Sequence, residues 1–237
     1  MDIKNANVFI TGANRGLGLA FAREALRRGA AKVYAGMRNT SGFDEPGMVP
    51  VRIDVTDPAS IAEAAKLAAD TTLLINNAGI AALIDGPLAA DVHAQSARLF
   101  DTNYYGVVRV TQAFEQILTA QPHAAIINVL SDIVWLPRPY LTPYAASKAA
   151  AWSYTNQLRF HLRERGIQVL GLHVGFVDTD LTNGIDVPKA SPEDVVRQTY
   201  DALAAGKSEV MADEGTAVLK STLAAEIPGY ITPPAGL

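Results

Sequence analysis

The chain contains no cysteine, so it offers no disulfide framework, no thiolate nucleophile and no cysteine zinc site. It also lacks a basic surplus. Its 24 acidic and 20 basic side chains give a net charge of -4, which argues against a nucleic-acid partner. No segment approaches the roughly 18 uninterrupted apolar residues of a membrane span. Near the start, Asp2 and Lys4 precede only the short apolar run Val8 to Ile10, so no secretory signal is expected there. Charged residues are scarce at 19% and hydrophobic ones reach 49%, so the composition excludes a disordered chain and supplies a core. The expectation is a soluble, cytoplasmic globular protein with no membrane partner. Its 237 residues suit one large α/β domain over 1–237.

What is present is a regular alternation. Short apolar runs at Asn7 to Thr11, Lys32 to Gly36, Val49 to Ile53, Thr72 to Ile75, Ala125 to Leu130, Ile167 to Val174 and Glu209 to Ala212 read as strands. Helical patterns lie at Leu19 to Arg28, Ser60 to Ala69, Asp91 to Leu118, Tyr144 to Arg165 and Pro192 to Ala205. Asp57-Pro58 and Ser191-Pro192 each put a capping residue before a proline at the first helical position, and Gly29 stands where a C-cap belongs. The strands do not alternate apolar with polar residues, as expected of a parallel sheet covered on both faces. About seven strands with intervening helices predict a doubly wound, Rossmann-like α/β sheet.

Chemistry concentrates in two places. Thr11-Gly12-Ala13-Asn14-Arg15-Gly16-Leu17-Gly18 joins the first strand to the first helix, where glycines let backbone N–H groups approach a dinucleotide pyrophosphate. The second strand ends Ala35-Gly36-Met37-Arg38 without a carboxylate for a ribose 2′-hydroxyl. Arg38 and Arg15 offer guanidinium groups to a 2′-phosphate instead, which favours NADP over NAD. Further on, Tyr144 and Lys148 stand one helical turn apart on one face, and a nearby ammonium favours the phenolate. His93, His123, His161 and His173 have no metal-ligand spacing, so no metal site is expected.

Together these motifs resemble the short-chain dehydrogenase/reductase family from the glycine loop to about Leu181. Asp54-Val55 matches the family's adenine contact, and Asn76-Asn77-Ala78-Gly79 its fourth-strand motif. Asn103, Ser131, Tyr144 and Lys148 match its catalytic tetrad; Gly175, Val177 and Thr179 match the loop that holds the nicotinamide carboxamide. Val174 replaces the family's usual proline, and Ser208 to Asp213 with Thr216 to Ile227 replace its glycine-rich end.

The resemblance implies hydride transfer between nicotinamide and a carbonyl or alcohol substrate. Tyr144 would protonate the oxygen and Ser131 would hydrogen-bond it. Lys148 would hold the ribose and lower the Tyr144 pKa, and Asn103 would relay protons through a water. It also implies a homodimer or homotetramer through the two long helices. A substrate lid is expected over 181–191. Ile133, Val134, Trp135, Leu136, Tyr140 and Phe176 suggest an apolar pocket for a medium-sized ketone or aldehyde. An NAD-dependent alcohol dehydrogenase and a non-catalytic NADP sensor are the alternatives; the intact Ser131, Tyr144 and Lys148 argue against the sensor.

Overall fold

The missing alternation has its explanation in two cores, one on each face of the sheet. The computed structural model describes residues 1–232. Its strands are β1 (Asn7–Thr11), β2 (Lys32–Met37), β3 (Met48–Arg52), β4 (Leu73–Asn76), β5 (Ala124–Val129), β6 (Ile167–His173) and β7 (Glu209–Met211). They form one seven-stranded sheet in the order β3-β2-β1-β4-β5-β6-β7, parallel throughout. Within β1, Val8 and Ile10 enter one core and Phe9 the other; within β4, Leu73 and Ile75 oppose Leu74 in the same way. Period-two geometry still holds, but in these central strands both faces are dry, so consecutive positions are apolar.

The helices are α1 (Gly16–Arg27), α2 (Pro58–Leu67), α3 (Val92–Phe100), α4 (Gly106–Thr119), α5 (Thr142–Leu162), α6 (Pro192–Ala204) and α7 (Glu214–Ser221). Helices α1 and α6 pack together on one face, where Phe21 meets Tyr200 edge-on with ring centroids 5.5 Å apart. Residues of α2, α4 and α5 cover the other face, where Ile61, Phe114 and Leu158 are buried with Phe9. The expected caps form. Asp57 accepts from the Ala59 N–H, Ser191 accepts from the Asp194 N–H, and Gly29 ends α1 at φ +82. There the N–H groups of Gly29 and Ala30 donate to the carbonyls of Leu26 and Ala25, closing a Schellman turn.

Two elements depart from the sequence expectation. The segment expected as one helix from Asp91 to Leu118 is interrupted between α3 and α4 by a π-helical turn over Asp101–Tyr105. That turn carries Asn103, whose side chain bonds across to Ile80 and Ser147 instead of following the helical register. Helix α7 lies where no helix was expected. It is capped by Asp213, which accepts from the N–H of Thr216 at 2.8 Å and from its hydroxyl at 2.7 Å. Among the described residues no helix is long and apolar enough to cross a membrane.

Candidate active site

The sheet order reverses between β1 and β4, and loops leaving the C-terminal ends of β1, β4, β5 and β6 meet beside that switch point. The glycine loop is built for close approach. Gly12 and Gly16 have φ of +70 and +52, and a Cβ on Gly18 would lie 2.1 Å from the Gly12 carbonyl oxygen. Asn77 ties this loop to β4: its amide donates to the carbonyls of Thr11 and Gly12 at 2.9 and 3.1 Å. The Thr11 hydroxyl in turn accepts from the backbone N–H groups of Asn77 and Ala78, each at 3.0 Å. The result is a concave run of backbone at the N-terminus of α1, which fits a dinucleotide pyrophosphate. Asn14 and Arg15 on this loop are exposed and Leu17 half-buried.

Around that cradle the other expected contacts fall into place unequally. Asp54 follows β3 and turns its carboxylate onto the N–H and hydroxyl of Thr56, which hold its pKa below the usual range. Val55 is buried against Gly106. Asn76 is buried too, with its amide donating to Asn128 at 2.8 Å and Thr111 at 3.1 Å, so it braces the strand ends rather than lining a groove. Arg38 is exposed beyond β2, whereas Met37 is part of the core. Arg15 pairs across the cleft with Asp180 at 2.8 Å, both side chains 64% exposed. Thr179 sits close enough to Gly16 that a Cβ there would meet it at 3.3 Å.

The chemical end is far more enclosed. Ser131 follows β5 and caps a short 3₁₀ turn. Its hydroxyl accepts from the Ile133 N–H at 3.3 Å and donates to the Asp132 carboxylate at 3.1 Å. On α5, one turn separates Tyr144 from Lys148, whose Nζ lies 5.8 Å from the ring centroid. Lys148 is buried, donates to the Val129 carbonyl at 2.9 Å, and burial brings its pKa down to about 8. Burial likewise pushes the Tyr144 phenol up to about 12, opposed by the neighbouring Ser131 side chain, which favours the ionised form. Here the structure departs from the expected lysine effect: with Lys148 committed to Val129, desolvation dominates the phenol. Asn103 is buried, accepting from the Ile80 N–H and donating to the Ile80 carbonyl, each at 2.9 Å. A Cβ on Gly79 would lie 3.3 Å from the Asn103 side-chain oxygen and 3.6 Å from the Lys148 ammonium, so Gly79 keeps the two in one crevice.

The loop after β6 is anchored by a residue outside the sequence expectation. The Gly175 N–H donates to Asp213 at 2.9 Å, which fixes the loop where the usual proline is missing. Val177 pairs with Ala190, closing the base of the segment expected as a lid; within it, Lys189 donates to the Thr182 carbonyl at 2.9 Å. The expected apolar wall is only partly there. Trp135 and Leu136 are buried in a cluster with Leu219, and Trp135 stacks on His173 at 4.2 Å. They face the interior because the 3₁₀ turn after Ser131 rotates them inward. Beside Ser131 stands a charged pair instead, Asp132 with Arg138, which the sequence reading missed. Spacing gave no signal for it, since the two residues lie on either side of the buried turn.

The short chain dehydrogenase family model matches residues 6–189. The chain belongs to this family. It is an oxidoreductase of the kind that uses a nicotinamide cofactor and a small-molecule substrate. A short chain dehydrogenase from Burkholderia cenocepacia, solved in complex with NADP, is 35% identical and superposes with a TM-score of 0.90 over 95% of each chain. The NADPH-dependent 1-acyldihydroxyacetone phosphate reductase of Schizosaccharomyces pombe is 33% identical over 210 residues, which is 83% of this chain and 69% of that one. An NADPH-bound carbonyl reductase from chicken fatty liver is 28% identical, with a TM-score of 0.78 over 88% of this chain and 97% of the other.

Proposed function

We propose that this dehydrogenase is an NADP(H)-dependent carbonyl reductase acting on a small ketone or aldehyde and, in reverse, on the alcohol. The observation that carries the proposal is that Ser131, Tyr144 and the buried Lys148 gather at the edge of a glycine cradle, with Lys148 bonded to Val129 just before Ser131 and with Arg38 and no carboxylate following β2. Gly12, Asn14, Arg15, Gly16, Leu17 and Gly18 would hold the pyrophosphate, and Arg38 with Arg15 the 2′-phosphate. Asp54 and Val55 would meet the adenine. Ala78 and Gly79, with Asn76 behind them, would flank the nicotinamide ribose held by Tyr144 and Lys148. Gly175, Val177 and Thr179 would meet the carboxamide. When bound, the reduced nicotinamide supplies the hydride.

The chain's own part is positioning and proton supply. A phenol with a pKa of about 12 stays protonated at neutral pH, so Tyr144 is poised as the acid that delivers a proton to the carbonyl oxygen. Ser131 donates a hydrogen bond to the same oxygen as charge develops on it. Lys148, titrating near 8 one turn away, and Asn103 beside it give the phenol a route for reprotonation. Residues 181–191 would close over the substrate. The exposed faces of α4 and α5, which carry the exposed Phe160, would bury themselves in a homodimer or homotetramer.

The test is a carbonyl panel followed by loss of reduced-nicotinamide absorbance, with both cofactors. NADPH should be consumed, and preferred over NADH by roughly tenfold or more. Failure of every carbonyl to oxidise either cofactor overturns the proposal, and a preference for NADH reassigns the cofactor.

A further inference from the structure

A buried ion pair beside the reacting groups calls for an explanation that stability does not supply. Desolvating two charges costs several kcal/mol per ion, and a well-packed apolar pair is often as stable. Yet Asp132 and Arg138 have side chains only 8% and 14% exposed, and they pair through both carboxylate oxygens at 3.2 and 3.0 Å. Two features place the pair at the substrate. Asp132 accepts the hydroxyl of Ser131, so it is one hydrogen bond from the point where a carbonyl oxygen would sit. The Arg138 guanidinium lies 5.1 Å over the ring of Phe176, on the loop that follows β6, so the pair bridges the two loops flanking Tyr144. Both charges act on the Tyr144 phenol.

We infer that Asp132 and Arg138 determine specificity, selecting a carbonyl substrate with a neutral oxygen substituent, a hydroxyl or second carbonyl, on the adjacent carbon. This rests on the reductase proposal for the same site. Oxygens on neighbouring carbons lie about 3 Å apart, about one hydrogen-bond length, which matches the Ser131 to Asp132 spacing of 3.1 Å. Among the described residues, Arg138 spends one N–H of each terminal nitrogen on Asp132. A guanidinium has five, so donors remain for a substrate oxygen, while the carboxylate offers an acceptor to a hydroxyl. The pair is neutral overall. A substrate carboxylate would set two anions against one cation in an enclosed space, which disfavours a keto acid.

The experiment has a binding arm and a turnover arm. In the binding arm, calorimetry on the enzyme saturated with NADPH compares vicinal cyclohexanediol with cyclohexanol, which needs no reaction. In the turnover arm, kcat/KM is compared for α-hydroxycyclohexanone, cyclohexanone and α-ketohexanoate. The wild type should favour the dioxygenated compound roughly tenfold or more in both arms, because a site built to hydrogen-bond a group discriminates against its absence. Arg138→Met should reduce the ratio to below about threefold. Since Arg138→Met leaves a buried carboxylate unpaired, Asp132→Asn combined with Arg138→Met serves as the variant with no stranded charge, and it should lose the ratio too. Equal handling of diol and mono-ol by the wild type overturns the inference, as does a preference for α-ketohexanoate. If the diol ratio holds but no ketone is turned over, the recognition role is supported and the reductase proposal fails.

Discussion

The two ends of the cofactor cleft are built on opposite principles. At the chemical end Asn103, Ser131 and Lys148 are buried, each fixed by hydrogen bonds at 2.9 to 3.3 Å. At the adenosine end Arg38 is exposed, and Arg15 meets Asp180 with both side chains 64% in solvent. Burial has consequences that exposure lacks: it moves Tyr144 up to about 12 and Lys148 down to about 8, whereas exposed charges are screened by water. On the proposed reading the chemistry is therefore preorganised by the fold before any cofactor arrives, while cofactor choice would rest on a few surface side chains that can change without disturbing the core.

The largest effect should come from the enclosed end. Tyr144→Phe keeps the ring and removes the proton, and general acid catalysis contributes typically 10²–10⁴-fold. We expect kcat to fall by about that factor while the NADPH dissociation constant stays within about twofold. A Phe variant within about threefold of the wild-type kcat would remove Tyr144 from the acid's role.

Next in size is the packing behind Ser131. Glu209 accepts from the Lys220 ammonium at 3.2 Å and the Trp152 indole at 3.4 Å, with His173 at 3.5 Å. His173, and then Lys220, hold its pKa down to about 2. A depressed carboxyl stabilises the fold above its ordinary pKa near 4.5 and loses that contribution as pH falls toward 2. With a quarter of the side chain still in water, this amounts to about 2 kcal/mol. Glu209→Gln should therefore lower the melting temperature at pH 7 and flatten its acid limb. Parallel pH–stability curves for the two proteins would show that Glu209 carries no such linkage.

How much of this could be read from residues alone follows the same division. Strand positions and caps were legible because Val8-Phe9-Ile10 and its counterparts are continuous apolar runs, and Asp57 and Ser191 sit directly before Pro58 and Pro192. The glycine loop and the Tyr144–Lys148 spacing were legible because each is local. What escaped is tertiary. The π-turn at Asp101–Tyr105 does not disturb the apolar periodicity around it. Asp132 and Arg138 look like two unrelated surface charges until the loop folds them together. Trp135 suggested a pocket wall, but the 3₁₀ turn directs it inward, where it stacks on His173 at the end of β6.

The exposed end predicts a smaller, separable effect. Met37 is buried, so introducing an acid there would perturb the core along with the cofactor; Arg38→Ala isolates the phosphate contact. Losing one charge-assisted hydrogen bond, about 1.5–3 kcal/mol before desolvation, should reduce the NADPH-over-NADH ratio of kcat/KM by roughly tenfold. The kcat with saturating NADPH should hardly move, because Arg38 is remote from Tyr144. An unchanged ratio would place the discrimination elsewhere.

The smallest expected effect tests whether the exposed end is as adjustable as its geometry suggests. Asp180 takes one N–H of the Arg15 guanidinium and leaves a carboxylate beside it, so its charge offsets the cation and repels an incoming 2′-phosphate. Both partners are mostly in solvent, and exposed pairs contribute between about 0 and 1 kcal/mol, so breaking this one should leave the melting temperature within about two degrees. Asp180→Asn removes the competing charge and keeps a similar shape. NADPH should then bind up to about threefold tighter, with a steeper salt dependence, because a freed cation faces the anionic cofactor. NADH, which has no 2′-phosphate, should gain less. The measurement is the dissociation constant of each cofactor at low and high salt. Weaker NADPH binding in Asp180→Asn would reverse the picture, making the Arg15–Asp180 contact a clasp that holds the cofactor rather than a competitor for it.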